Sequence, residues 1–135
     1  MSLLGPSSIN TPGSDTRNKV LIVEDDPGIR NLCIKVFTKA NFWVNTASDS
    51  REAIQKIAAD MPHLIILDLN LEASSGLDVL AYLEKHDHLR HNKVIVISAD
   101  DAALSHPLIQ LADLSFIKPV SVLQLGELAK RLIVR

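Results

Sequence analysis

The chain has 135 residues, of which 47% are apolar and 22% charged, with a formal charge of −2. That is the size of one domain and the balance of a folded globular protein, and it offers no basic surface of the kind nucleic acid demands. A single cysteine, Cys33, leaves no internal disulfide and fits a reducing cytoplasm. No apolar run approaches the roughly 18 residues of a membrane span, and the N-terminus lacks the basic start and apolar stretch of a secretory signal.

Residues 1–17 are rich in Ser, Gly, Pro, Asn and Thr without apolar periodicity, and read as a flexible lead-in or linker to a domain over 18–135. From Lys19 the pattern alternates between strand and helix. KVLIVE (19–24), HLIILD (63–68) and KVIVIS (93–98) are short, β-branched and almost continuously apolar, as strands buried on both faces of a parallel sheet are. FWVNTA (42–47) and LSFI (114–117) are weaker strand candidates. After the first strand, Asp26-Pro27 supplies an N-cap and a proline at the first helical position. Ile29, Leu32, Cys33, Val36, Phe37 and Ala40 then recur at helical spacing. Ala53, Ile54, Ile57 and Ala58 mark a second helix, Leu77, Leu80 and Leu83 a third, and Val122, Leu125, Leu128 and Leu132 a last one. The 101–112 stretch contains His106-Pro107. An interior proline costs ~3 kcal/mol of helix, so the fourth helix is expected to be short or broken.

Alternating β and α elements imply right-handed crossovers and a doubly wound α/β fold. Five strands in this length fit the flavodoxin-like (βα)5 order 2-1-3-4-5, whose sites lie at the carboxyl ends of the strands. Those ends are where the polar residues gather. The first strand ends in Glu24-Asp25-Asp26, the third in Asp68 and the fourth in Ser98, and Lys118-Pro119 follows the fifth. Carboxylates brought together there repel one another unless a cation joins them. Hard oxygen ligands suit Mg²⁺ (or Mn²⁺), which points to a divalent-metal site able to handle phosphate.

VLIVEDDPGIR, LIILDLNLEASSGLDVL, VIVISAD and FIKPV, in that order, resemble the signature regions of the receiver domains of two-component response regulators, over about residues 19–133. The resemblance implies that Glu24 and Asp25 are the acidic pair on the metal, with Asp68 and the backbone carbonyl of Asn70 as further ligands. It makes Asp68 the phosphoacceptor, Ser98 the switch hydroxyl, Lys118 the lysine that pairs with the phosphoryl group, and Pro119 the proline commonly joined by a cis peptide. The donor implied is a phosphohistidine on a sensor histidine kinase or a histidine phosphotransfer protein, and the readout an unspecified output domain or protein partner. Chemically, phosphoryl transfer needs an in-line nucleophile and neutralisation of three equatorial oxygens. Asp68 supplies the first, while the metal, Lys118 and Ser98 share the oxygens.

The chain departs from the family pattern at four places. Glu24 replaces the commoner Asp and is expected to reach the metal through water. Glu72 replaces a proline and is expected to loosen its loop. Ser115 replaces an aromatic residue, and the stretch from Ser98 to Lys118 is about two residues short. The last two favour an alternative, a degenerate receiver that acts as a constitutive protein–protein interaction module; the intact Asp25, Asp68, Ser98 and Lys118 argue against it. A dehalogenase-like phosphatase reading of Asp68-x-Asn70 fails because Asn70 cannot protonate a leaving group. Blander readings hold elsewhere. Asp26 reads as a helix cap, Cys33 as core, Phe42 and Trp43 as packing residues, and His86, His88 and His91 as a solvated turn rather than a transition-metal site.

Overall fold

A computed structural model describes residues 16–86 and 92–133. The expected lead-in up to residue 15, and His88 and His91, lie outside the described residues. Five strands, β1 (Lys19–Val23), β2 (Trp43–Ala47), β3 (Leu64–Asp68), β4 (Lys93–Ser98) and β5 (Leu114–Ile117), form one parallel sheet in the order β2-β1-β3-β4-β5. The three central strands are those whose sequences are continuously apolar. They are buried on both faces, because each has a strand on either edge and helices pack apolar layers against both sides of the sheet.

Four α-helices cover the sheet: α1 (Pro27–Lys39), α2 (Ser50–Asp60), α3 (Leu77–Lys85) and α4 (Val122–Ile133). Asp26 caps α1 as its sequence position suggests, its side chain accepting from the Ile29 N–H at 3.0 Å. Where a further helix would lie between β4 and β5, the chain forms two short 3-10 helices, Asp101–Ser105 and Pro107–Leu111. The break falls at His106-Pro107, where the proline cannot donate to a preceding turn.

The sheet separates two apolar layers. One packs β-strand residues such as Leu21, Leu67 and Val96 against α2 and α3, with Leu104 and Leu108 of the 3-10 segment at its margin. The other packs Ile22, Ile66 and Ile95 against α1 and α4, through Cys33, Phe37, Leu125 and Ala129. Phe42 is buried there and meets Phe37 edge-to-face, with ring centroids 5.6 Å apart. Trp43 is not a packing residue. It is half-exposed at the amino end of β2, with the Arg17 guanidinium 4.8 Å above its ring. The buried stripe of α1 is also narrower than its periodicity suggests, since Ile29 and Leu32 stand 42% and 48% exposed.

Candidate functional site

The carboxyl ends of β1, β3 and β4 and the start of the loop after β5 bring the sequence-predicted residues to one edge of the sheet. Glu24 and Asp68 are buried, Asp25 is half-buried, and the carboxylate oxygens of all three lie within 4.8 Å of one another. Lys118 reaches across, its Nζ 3.0 Å from Asp68 Oδ2. The peptide bond from Lys118 to Pro119 is cis. The other oxygen of Asp68, Oδ1, accepts from the Asn70 N–H at 2.8 Å, so the carboxylate is held at both ends.

Glu24 carries the electrostatic cost of this gathering. Burial pushes its pKa above the usual carboxylate range and the Asp68 charge adds to the rise, against a hydrogen bond from the Asp26 N–H. Three hard oxygen donors, one of them held in an unfavourable environment for its charge, fit a divalent cation of the Mg²⁺ type. Arg30 helps to shape this loop. Its guanidinium donates to the carbonyl oxygens of Glu24 at 2.9 Å and Asp25 at 3.3 Å, fixing the backbone on which both acids stand.

Three details could not be read from side-chain patterns. The Glu72 N–H donates to Asp25 Oδ2 at 2.6 Å. A proline at this position would have no such donor. The substitution therefore ties the loop down, against the expectation that it loosens it. Asn70 Oδ1 accepts from the Ala99 N–H at 2.6 Å, bridging the loops after β3 and β4. Gly76, at the start of α3, lies so close to the end of β3 that a Cβ there would meet the Asp68 carbonyl oxygen at 2.6 Å and Leu69 Cα at 2.8 Å. The glycine in the SSG run before Leu77 was the one available signal for that approach.

Ser98 is fully buried, but its hydroxyl faces its own loop. It donates to the Asp100 carbonyl and accepts from the Asp100 N–H, both at 3.0 Å. Asp100 in turn caps the first 3-10 helix through Ala102. Cys33 is buried below the site, and burial with the nearby Glu24 charge pushes its thiol up to about 11, so it is a neutral core group. Among the described residues no helix is long and apolar enough to cross a membrane.

A five-stranded parallel sheet of this order, with acids, a hydroxyl and a lysine on its carboxyl edge, defines a flavodoxin-like signalling domain. Residues 20–129 match the family model described as the response regulator receiver domain, and the chain belongs to that family. Response regulator RR06 of Streptococcus pneumoniae is 34% identical over 120 residues, covering 86% of this chain and 53% of the relative. Sporulation initiation phosphotransferase F of Bacillus subtilis is 30% identical over 81 residues, covering 60% of this chain and 64% of the relative. The response regulator TrrA of Thermotoga maritima, solved in complex with Mg(2+)-BeF, superposes with a TM-score of 0.74 at 28% identity, over 85% of this chain and 98% of that one. The chain spans less than two thirds of the length of these curated relatives. Receiver domains are signalling domains of response regulators.

Proposed function

We propose that this domain accepts a phosphoryl group on Asp68 from a partner phosphohistidine, in the presence of Mg²⁺, and signals by changing shape. The observation that carries this reading is the buried Asp68 carboxylate, paired with Lys118 on one oxygen and set within 4.8 Å of Glu24 and Asp25.

A carboxylate oxygen of Asp68 attacks phosphorus as the bond to the imidazole nitrogen breaks; the electron pair stays on that nitrogen, the donor ring, protonated on its other nitrogen, leaves neutral, and Asp68 becomes an acyl phosphate. The Asn70 N–H orients the carboxylate before attack. Lys118 neutralises charge developing on the transferred group, and Ser98 completes the set once its hydroxyl leaves the Asp100 loop. Asp25 and Glu24, with Asp68 and the Asn70 carbonyl, are the groups that would hold Mg²⁺, which supplies further charge neutralisation. The half-exposed Ile29 and Leu32 and the exposed Leu123 offer apolar surface on the α1–α4 side, suited to a kinase or phosphotransfer partner. The setting proposed is cytoplasmic, with a partner or output domain downstream.

Intact-mass spectra after incubation with Mg²⁺ and acetyl phosphate test the assignment. The protein should gain one phosphoryl group, and Asp68→Asn none. Equal labelling of the variant would sink it, and no labelling of the parent would favour the degenerate, constitutive reading.

A further inference from the structure

We propose that the signal leaves Asp68 through Lys118 and the β5–α4 connection, resetting the first turn of α4 against α1 while the 101–111 segment stays nearly unchanged. This rests on the reading of Asp68 as phosphoacceptor.

The two faces of β5 are unequally equipped. Ser115 lies opposite Val96, so it belongs to the face shared with α3 and the two 3-10 helices. It is exposed, and neither 3-10 helix has a buried residue. A serine that withdraws or turns there changes little buried area, so phosphorylation gains little differential free energy through it. Leu114 and Phe116 point to the opposite face and pack with Val120 and Val122 in the α1–α4 layer.

That opposite face also has room to move. A cavity of about 300 Å³ lies between α1 and the start of α4, walled by Ile29, Cys33, Pro119, Val120, Val122 and Leu125. It opens on Glu24, Asp68 and Lys118. It is a partly open cleft and not a packed interface, so the side chains that line it lack opposing protein contacts on that side. The walls here are the residues that follow Lys118 in the chain. One turn further along, the helices are locked. A Cβ on Gly126 would stand 2.9 Å from Val36 Cγ1, so α4 rests directly on α1 at that point. The first turn of α4 thus borders the pocket on its inner side and is pinned beyond it, which makes Gly126 the pivot. An acyl phosphate carries about −2 where the Asp68 carboxylate carried −1, and it sets that charge on oxygens further out from the strand. Lys118, now on one carboxylate oxygen, is drawn to it and carries Pro119 and Val120 along. The displaced surface includes Leu123, which is 71% exposed.

Methyl spectra of the protein with and without Mg²⁺ and beryllofluoride test this, with the fluorine spectrum reporting occupancy at Asp68. The methyls of Val120, Val122, Leu123 and Leu125 should shift at least twofold more than those of Leu104, Leu108 and Ile109. The reverse order, or a bound fluorine signal with no response in α4, overturns the inference and leaves the phosphoacceptor reading standing. No bound fluorine signal overturns both. Cys33→Leu fills the cavity, so the α4 shifts should fall by half or more with the fluorine signal retained. An undiminished α4 response in that variant also overturns the inference. Val120→Ile gives the same reading should Cys33→Leu not fold.

Discussion

The Glu72 N–H donates to Asp25 Oδ2 across 2.6 Å, so the loop after β3 and the acidic pair after β1 are one hydrogen-bonded unit. A cation drawing on Asp25 competes with that donor. Glu72→Pro removes it, and a hydrogen bond to a charged group is worth about 1.5 kcal/mol or more before compensation by water. Mg²⁺ should therefore bind several-fold more tightly to the variant. Calorimetry is the measurement to use, because Trp43 sits at the amino end of β2, away from the site, and is a poor fluorescent reporter. Equal or weaker binding would mean that Asp25 is not limited by this contact.

Asp25→Ala should cost more Mg²⁺ affinity than Glu24→Ala, since Glu24 is the longer arm and already accepts from the Asp26 N–H. Asp26→Ala should leave Mg²⁺ binding intact while losing about 1 kcal/mol of stability, the usual value of an N-cap. Denaturant unfolding and calorimetry on the three variants separate the roles. A larger Mg²⁺ loss at Glu24 than at Asp25 reverses the ligand assignment.

The pH dependence of the metal-free protein follows from Glu24. Its pKa is raised in the folded state above the ordinary glutamate value of 4.5, chiefly by burial, so the folded form binds its proton more tightly than the unfolded chain does. The stability this contributes is complete below the unfolded value and is lost as pH rises through the folded one. Glu24→Gln should flatten that fall above pH 4.5 and stabilise the metal-free protein at neutral pH. Urea midpoints measured across the range check it, and an unchanged slope would place the cost elsewhere.

Much of this was legible because two codes agree. β-branched apolar runs in β1, β3 and β4 can be satisfied only in the middle of a parallel sheet, and such a sheet brings Glu24, Asp25, Asp68, Ser98 and Lys118 to one edge. What the sequence could not convey depends on backbone donors and on gaps between elements. The tie from Glu72 uses its N–H and not its side chain. Ile29 and Cys33 share one helical stripe, yet the first is 42% exposed and the second is buried against a pocket that Val122 also lines. An aromatic residue at a strand start, such as Trp43, looks the same in sequence whether a layer covers it or an arginine does.

Gly76→Ala should destabilise the protein and disturb the site together. The added carbon would approach the Asp68 carbonyl oxygen to 2.6 Å, and both partners are buried backbone that cannot yield as a flexible side chain would. Overpacking of this kind costs about 1–3 kcal/mol. Unfolding curves should show it, and labelling by acetyl phosphate should slow as the acceptor strand moves.

Asp100 tests how the acyl phosphate is lost. Its backbone holds the Ser98 hydroxyl at 3.0 Å from both N–H and carbonyl, while its exposed carboxylate caps the 3-10 helix through the Ala102 N–H at 2.9 Å. Asn70 closes the other side only through one bond to Ala99. A polar, exposed pair of this kind leaves an attacking water its path to phosphorus. Asp100→Leu places an apolar side chain there and should lengthen the phosphoryl lifetime. It also removes the cap, at a cost of about 1 kcal/mol, so a second variant is needed to separate the effects. Asp100→Asn keeps an oxygen for Ala102 and keeps the position polar, and should decay like the parent. Phosphate release from the labelled protein gives both rates. Equal decay in Asp100→Leu and Asp100→Asn would show that this residue does not border the water's approach.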